Sequence, residues 1–404
     1  MNPKRIFGVV VLATALASSL KAGAEAAPTA LPTTNPSPFA AWKNGFPADP
    51  SYFPIGVWVQ NTRNAKRYKD AGVNLYVALY RGPTEEQLRD LKDAGMRAIC
   101  AQNARGLQFK DDPTIVGWLQ PDEPDNAQAV TDPKTGKRGW GPSVKPEKVV
   151  ADYEKLRAND PTRPVMLNLG QGVAYDAWRG RGPGAKREDY VTYVRGGDIV
   201  SFDFYPVGGE TGQDGNARLP LVAKGVQRLV EWTRGERIVW AILECSRIHN
   251  VEHKPSAKQI RAEVWMALVH GARGIVWFVH QFDPNFVEAS ALNDPDLLAA
   301  MTAVNRQVHE LAPVLNSPTL KDGARATSSD EKMPIATMTK RHGGATYVFA
   351  VAMANAPARG TFELPGLADG ATAEVIGEDR KLGTKAGRFA DDFEAYAVHL
   401  YRIR

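Results

Sequence analysis

Short apolar segments alternate with longer amphipathic stretches between about residues 50 and 313. The apolar segments are rich in Val, Ile and aromatic residues, and polar or turn-forming residues bound each one, as is typical of buried parallel strands. Eight such segments occur, at residues 55–60, 74–80, 97–102, 115–120, 164–169, 199–205, 237–244 and 274–281. Eight strand–helix repeats over roughly 260 residues match the size of a (β/α)₈ (TIM) barrel, which is the α/β fold that the pattern predicts.

Helix signals lie between several of these segments. Thr84 can cap a helix that carries Leu88 and Leu91 inward, and Ser256 can cap another whose apolar residues recur at helical spacing up to Gly271. A doubly wound open sheet is the main alternative to the barrel. That fold normally carries a glycine-rich phosphate loop, and neither G-x-G-x-x-G nor G-x-x-x-x-G-K-[ST] occurs here. We therefore favour the barrel, at residues 49–313.

The sequence changes character after about residue 313. The apolar segments become short and are separated by Gly, Asp and Asn, which are turn formers. Four of them read as strands, at residues 345–353, 360–364, 372–376 and 395–403. We expect a small antiparallel β-sandwich at residues 314–404.

The N-terminus has the pattern of a secretory signal peptide. Lys4 and Arg5 precede an apolar segment from Ile6 to about Leu20, and small residues follow it. We expect residues 1–26 to be a signal peptide and the protein to be secreted or periplasmic, the alternative being a retained N-terminal anchor. Residues 27–48 are rich in Pro, Ala and Thr, which favours a loose linker.

Composition excludes several classes of function. The chain is 43% hydrophobic and 24% charged, as in soluble globular proteins, and its 50 Lys+Arg and 45 Asp+Glu residues are interleaved. Nucleic acid is excluded as a partner because phosphate binding needs clustered positive charge. Cys100 and Cys245 are too few for a disulfide scaffold or a cysteine metal site. His249 and His253 lack the Glu of an H-E-x-x-H motif, so we expect neither a metal nor a cofactor.

Two glutamates close apolar segments of the predicted barrel. Glu123 follows the fourth segment, and Glu244 ends the seventh, 121 residues later. The longest irregular stretches also follow the fourth to eighth segments, at the rim where barrel enzymes carry their sites. Strands four and seven face one another across a small barrel, so both carboxyls can point into one cleft. Two facing carboxyls are the groups that glycoside hydrolysis requires.

This arrangement resembles clan A of the glycoside hydrolases, which are retaining (β/α)₈ enzymes with glutamates at the ends of strands four and seven. The clan's Asn-Glu-Pro motif stands here as Asp122-Glu123-Pro124. The resemblance implies that Glu123 is the acid/base and Glu244 the nucleophile of a double displacement. It also implies a β-linked glycoside or polysaccharide as substrate and no cofactor.

The resemblance implies further substrate-binding residues. Tyr205 matches the clan's strand-six tyrosine, Arg81 its arginine near strand two, and Trp277 its strand-eight tryptophan. Asp203 alternates in phase with Tyr205, so both are expected to face the barrel interior. Asn168, near the end of the fifth segment, completes the candidate set.

Asp122 departs from the clan's pattern. An asparagine at this place donates to the sugar 2-hydroxyl, whereas an ionised aspartate only accepts, and its charge raises the pKa values of neighbouring acids. Two alternatives therefore stay open. One is a barrel hydrolase that uses Asp122 or Asp203 as its key acid, and the other is a carbohydrate-binding protein on a decayed barrel. In each case the expected partner is an oligosaccharide or polysaccharide.

Overall fold

A computed structural model describes residues 37–404 of the chain. All eight predicted strands are present and form a closed barrel, in which each strand pairs in parallel with the next and the eighth pairs with the first. They are β1 Ile55–Trp58, β2 Leu75–Val77, β3 Arg97–Ala101, β4 Ile115–Leu119, β5 Val165–Leu169, β6 Ile199–Asp203, β7 Ile238–Glu244 and β8 Ile275–Phe278. The predicted (β/α)₈ barrel is confirmed.

Helices occupy most of the connections between these strands. Both predicted caps are present, since the Thr84 and Ser256 side chains accept from the N–H groups of Gln87 and Gln259. The α-helices are α1 Ala65–Asp70, α2 Glu85–Asp93, α3 Ala104–Gln108, α4 Pro146–Asn159, α5 Tyr190–Tyr193, α6 Pro220–Trp232, α7 Ala257–Val269, α8 Ser290–Asn293, α9 Pro295–Glu310 and α10 Ala312–Leu315. Single 3₁₀ turns lie at Thr62–Asn64, Gln171–Ala174, Arg187–Asp189 and Val194–Gly196, and a hairpin of Ala129–Thr131 with Arg138–Trp140 follows β4.

Residues that precede β1 close the end of the barrel at which the strands begin. The rings of Phe39 and Phe46 are buried, and they meet the ring of Trp240 inside the barrel at centroid distances of 6.4 and 5.5 Å. The expectation of a loose linker is therefore wrong for residues 37–48. The segment is rich in Pro, but its two phenylalanine rings bury apolar surface against the barrel, which holds the segment in place. Ligands can enter the barrel only from the opposite end, at the carboxyl ends of the strands.

Eight further strands form two antiparallel sheets after the barrel. They are β9 Arg325–Ser328, β10 Ile335–His342, β11 Ala345–Ala352, β12 Ala358–Glu363, β13 Thr372–Val375, β14 Arg380–Gly383, β15 Arg388–Phe393 and β16 Val398–Ile403. One sheet has the order β9-β12-β15 and the other β10-β11-β16-β13-β14. Phe362 and Phe389 of the first sheet pack against Tyr401 of the second, as in the expected sandwich. The second sheet also packs on the barrel, where Phe349 contacts Trp265 of α7.

The predicted signal peptide, residues 1–26, lies outside the described residues, as does the first part of the predicted linker. From residue 37 onward, no helix has the length and apolar character that crossing a membrane requires.

Candidate functional site

An open cleft lies at the carboxyl ends of the barrel strands. Its volume is about 440 Å³, a size typical of small-molecule sites. Asp122 and Glu123, which follow β4, line the cleft together with Asp203 at the end of β6. Asn168 of β5 and Tyr205 also line it. The structure therefore brings five of the predicted site residues together.

Among the predicted site carboxyls of the cleft, Glu123 is the one that forms an ion pair. Its Oε2 lies 2.5 Å from Nη2 of Arg181. The main chain of Glu123 has a φ of +44°, and its N–H donates to the carbonyl of Asn168 at 3.1 Å. A left-handed non-glycine residue costs about 1–3 kcal/mol, which its surroundings must offset. Gly170 makes room for the carboxylate, since a Cβ there would lie 2.9 Å from Glu123 Oε1.

One amide group holds the two aspartates of the cleft. Nδ2 of Asn168 donates to Oδ1 of Asp122 at 3.0 Å and to Oδ1 of Asp203 at 3.3 Å. These two oxygens are therefore at most 6.3 Å apart. The hydroxyl of Ser201 donates to Oδ1 of Asn168 at 2.8 Å, which fixes the orientation of the amide.

Burial and mutual repulsion raise the pKa values of the aspartates in the cleft. Asp122 faces the cleft, but the protein around it leaves its carboxyl poorly solvated. This poor solvation and the charge of Glu123 raise the pKa of Asp122 to about 6. Burial raises the pKa of Asp203 well above its usual range, and the charges of Glu123 and Asp122 raise it further. The hydroxyl of Tyr205 donates to Asp203, and burial raises the pKa of Tyr205 as well. The cleft thus favours a protonated Asp203.

Two buried polar residues hold the loop that carries Arg181. Asp125 accepts from the N–H of Gly170 and from the hydroxyl of Tyr190, both at 2.9 Å. Burial raises the pKa of Asp125 to about 7. Asn126 Oδ1 accepts from the N–H of Arg181 at 3.1 Å. The segment after β4 therefore supplies both Glu123 and the groups that position its cation.

Several lining residues were not singled out by the sequence. Phe278, the last residue of β8, packs against Tyr205 with a centroid distance of 4.8 Å. Arg218 lies 3.1 Å from Glu210, and both line the cleft with His249 and Arg181. All but Phe278 lie in or next to the long stretches after the strands. The length of those stretches marks the rim, but no periodicity within them identifies which residues face the cleft.

Glu244 is separated from the cleft. Its side chain is fully buried, and its two oxygens accept from the N–H groups of Val207 and Gly208 at 2.7 and 2.6 Å. Its carboxylate is absent from the cleft lining. The expected role of Glu244 as the nucleophile therefore disagrees with its position. Its contacts instead anchor the segment that follows Tyr205.

Glu244 has a second buried carboxyl beside it. Glu263 of α7 is fully buried, and neither of its carboxyl oxygens has a hydrogen-bond partner among the described residues. Burial raises the pKa of Glu244 to about 7, although the two backbone N–H groups oppose the shift. Burial and the charge of Glu244 raise the pKa of Glu263 well above its usual range. A neutral Glu263 avoids placing a second charge beside Glu244.

Two other predicted substrate-binding residues lie away from the cleft. Trp277 is fully buried on the outside of β8, where its Nε1 donates to Asn305 of α9 at 3.0 Å. Arg81 is exposed, and its guanidinium lies over the ring of Tyr80 at 5.1 Å, outside the cleft lining. Both predictions are wrong. Phe278, the next residue along β8, takes the aromatic position in the cleft.

His249 and the two cysteines noted in the sequence have the following surroundings. Nδ1 of His249 lies 2.8 Å from Oδ2 of Asp283. Residues 37–404 contain no group of three or more His, Cys, Asp or Glu side chains placed to hold a metal ion. Cys100 and Cys245 are free and buried, and burial raises both thiol pKa values.

Comparison with known proteins gives a match of fold. No family model and no curated protein matches the sequence. An α-amylase from Geobacillus thermoleovorans, solved with acarbose, has a TM-score of 0.51 at 11% identity, over 90% of this chain and 99% of the amylase. A catalytic mutant of Gan42B, a GH42 β-galactosidase from G. stearothermophilus, has a TM-score of 0.51 at 8% identity, over 88% and 98%. The chain shares their fold. At such identities the likeness concerns the fold alone.

The buried glutamate pair predicts a fold that loses stability as the pH rises. A carboxyl whose pKa is raised by folding contributes stability below about pH 4.5, and the contribution is lost as the pH rises through the folded pKa, about 7 for Glu244. Glu263→Gln keeps the size of the buried side chain and removes one titrating group. Between pH 5 and pH 9 we expect its free energy of unfolding to fall by about 1–3 kcal/mol less than that of the wild type. Urea denaturation at each pH measures this difference.

Glu154→Gln, which changes an exposed carboxyl on α4, is the matched control and should follow the wild-type curve. A Glu263→Gln curve that also runs parallel to the wild type would show that folding does not raise the pKa of Glu263.

Proposed function

We propose that this protein is a glycoside hydrolase whose two reacting carboxyls are Asp203 and Glu123. The observation that carries the proposal is that carboxyls from the ends of two different barrel strands converge in one open cleft, in environments that favour opposite charge states. Pairs of carboxyls held apart in this way perform acid and base work in one site.

Asp203 is assigned as the proton donor. Burial and its acidic neighbours favour the neutral form, which is the form that can protonate a glycosidic oxygen. Tyr205 and Asn168 hold the carboxyl in place from two sides. As the C–O bond breaks, Asp203 transfers its proton to the leaving oxygen and becomes an anion.

Glu123 is assigned as the ionised partner. Arg181 neutralises its charge in the resting cleft, and that charge is what an oxocarbenium-like transition state needs nearby. The carboxylate either attacks the anomeric carbon or takes a proton from the attacking water. In both cases water cleaves the O-glycosidic bond. The proton that Asp203 gives to the leaving oxygen is replaced by a proton from the attacking water. Glu244 receives no nucleophilic role in this proposal, because its side chain has no exposed surface.

The substrate class proposed is an oligosaccharide or polysaccharide. Trp58, Tyr205 and Phe278 line the cleft beside its carboxyls, and aromatic faces stack on the apolar faces of sugars. The α-amylase of the same fold was solved with acarbose, and the other structure is a β-galactosidase. The N-terminal pattern leads us to propose that the protein acts after export, as a secreted or periplasmic enzyme.

A comparison of leaving groups tests the roles of the two carboxyls. Asp203→Asn removes the proton donor, so we expect kcat/KM to fall by about 10²–10⁴-fold on alkyl glycosides and far less on dinitrophenyl glycosides, whose leaving group needs no proton. Glu123→Gln should lower kcat/KM on both kinds of substrate. A panel of glycosides of different sugars in both anomeric forms provides the assay.

Glu252→Gln, which changes an exposed carboxyl between β7 and α7, is the control and should match the wild type. An Asp203→Asn variant that loses no activity on alkyl glycosides would overturn the assignment. Sugar binding without hydrolysis of any glycoside in the panel would favour the carbohydrate-binding alternative instead.

The pH profile provides a second test. The charge of Asp122 raises the pKa of Asp203, and the proposed acid works only while it is protonated. Asp122→Asn removes that charge but keeps an oxygen to accept from Asn168. The variant should therefore lose activity at lower pH than the wild type on the alkaline side, as measured by kcat/KM against pH. An alkaline limb that stays in place or moves to higher pH would contradict this account.

A further inference from the structure

A strip of aromatic rings leads from the cleft to the protein surface. Phe278 and Phe282 line the cleft, and Phe286 lies beyond it on the same loop. Their centroids are 6.2 Å apart from Phe278 to Phe282 and 5.7 Å apart from Phe282 to Phe286. The exposed fraction is 40% for Phe282 and 62% for Phe286, whereas most aromatic residues of the barrel are buried. We call Phe278, Phe282 and Phe286 the aromatic strip.

The rings of the strip are tilted against one another and are supported by two imidazoles. Phe282 is inclined by 37° to Phe278 and by 35° to Phe286. His249 stacks on Phe282 at 5.0 Å with an angle of 16°, and buried His280 stacks on Phe286 at 6.1 Å with an angle of 20°. The strip is therefore a continuous series of neighbouring rings that begins in the cleft.

Backbone contacts hold these exposed rings in place. Gln281 and Val287 exchange hydrogen bonds of 3.0 and 2.8 Å, which close the loop that carries Phe282 and Phe286. The N–H of Phe282 donates to the carbonyl of Ile248 at 2.7 Å. Asp283 binds His249 and leaves about half of its side chain exposed beside the rings. Rigid rings flanked by polar groups match the mixed surface of a sugar, which has C–H faces and hydroxyl edges.

We propose that the aromatic strip binds additional sugar units of an oligosaccharide or polysaccharide whose cleaved bond lies between Asp203 and Glu123. The inference rests on the proposed function for the position of the cleaved bond. The strip is continuous with the cleft, so a chain that leaves the cleft on this side meets the rings in sequence. A glycan is therefore the occupant to which we commit. The site makes the enzyme selective for chains over single glycosides.

The test compares substrates of increasing length. The probes are methylumbelliferyl glycosides with one to four sugar units, built from the sugar that the hydrolysis panel identifies. In the wild type we expect kcat/KM to rise with chain length. Phe286→Ala should lower the ratio of kcat/KM between the longest and the shortest probe by about 3- to 10-fold, which corresponds to one lost ring contact. Most of the change should appear in KM, because the ring is remote from the reacting bond.

Tyr80→Ala is the matched control. It removes a ring with 66% exposure that lies outside the cleft lining, and it should leave the ratio unchanged. An unchanged ratio in Phe286→Ala, with normal hydrolysis of the short probe, would contradict the binding of sugar units to the aromatic strip. It would leave the proposed function intact.

Native electrophoresis in gels that contain soluble xylan, β-glucan or starch separates binding from hydrolysis. If the wild type is retarded and Phe286→Ala is not, the result would support glycan binding by the aromatic strip, even if no probe were hydrolysed. A wild type that is neither retarded by any of these polysaccharides nor active on any probe would overturn both proposals. A strip that binds a protein partner would give the same negative result.

Discussion

The candidate site depends on one side-chain amide. Asn168 gives its two N–H donors to Asp122 and Asp203, while Ser201 holds its oxygen. Parallel strands of a closed barrel end at the same rim, so carboxyls that follow β4 and β6 are brought near one another by the fold. Two aspartates at this distance repel each other when both are charged. A donor placed between them reduces that repulsion, and the rest of it appears as raised pKa values.

The cleft and the buried glutamate pair both place carboxyl groups where water solvates them poorly. The protein compensates for this differently in the two places. In the cleft, Arg181 lies against Glu123 and neutralises its charge. At the end of β7, the protein excludes water, and two backbone N–H groups donate to Glu244 in place of a cation. An isolated buried carboxylate would cost several kcal/mol, so each arrangement supplies a partner. Only the carboxyl in the cleft is placed to meet a substrate.

Much of the fold could be predicted from the sequence, because parallel strands buried on both faces give continuous apolar segments of distinctive length. The same property hides which face of a strand points inward. Trp277 and Phe278 are both apolar, and only the closed barrel shows that Phe278 faces the cleft while Trp277 faces α9. β9, β10, β14 and β15 were not predicted, since strands with many polar residues give a weak signal.

The candidate site could be predicted only in part, for a related reason. Asp203 ends β6 and Glu123 follows β4 closely, and strand ends can be found in a sequence. Arg181 reaches Glu123 from a glycine-rich loop 58 residues further along the chain, and nothing local indicates this contact. Glu244 has the sequence context of a cleft residue, but its side chain is held by the backbone N–H groups of Val207 and Gly208. Backbone donors leave no signal in a sequence, and Glu263 is only one of three charged residues of α7.

The central claim is that Asp203 carries a proton and Glu123 does not, within one cleft at neutral pH. Neutron diffraction from perdeuterated crystals at pH 7 tests this claim most directly and needs no knowledge of the sugar. The account predicts a deuterium on the carboxyl of Asp203 and none on Glu123, with Arg181 still facing Glu123. A deuterium on Glu123 with a bare Asp203 carboxylate would contradict it.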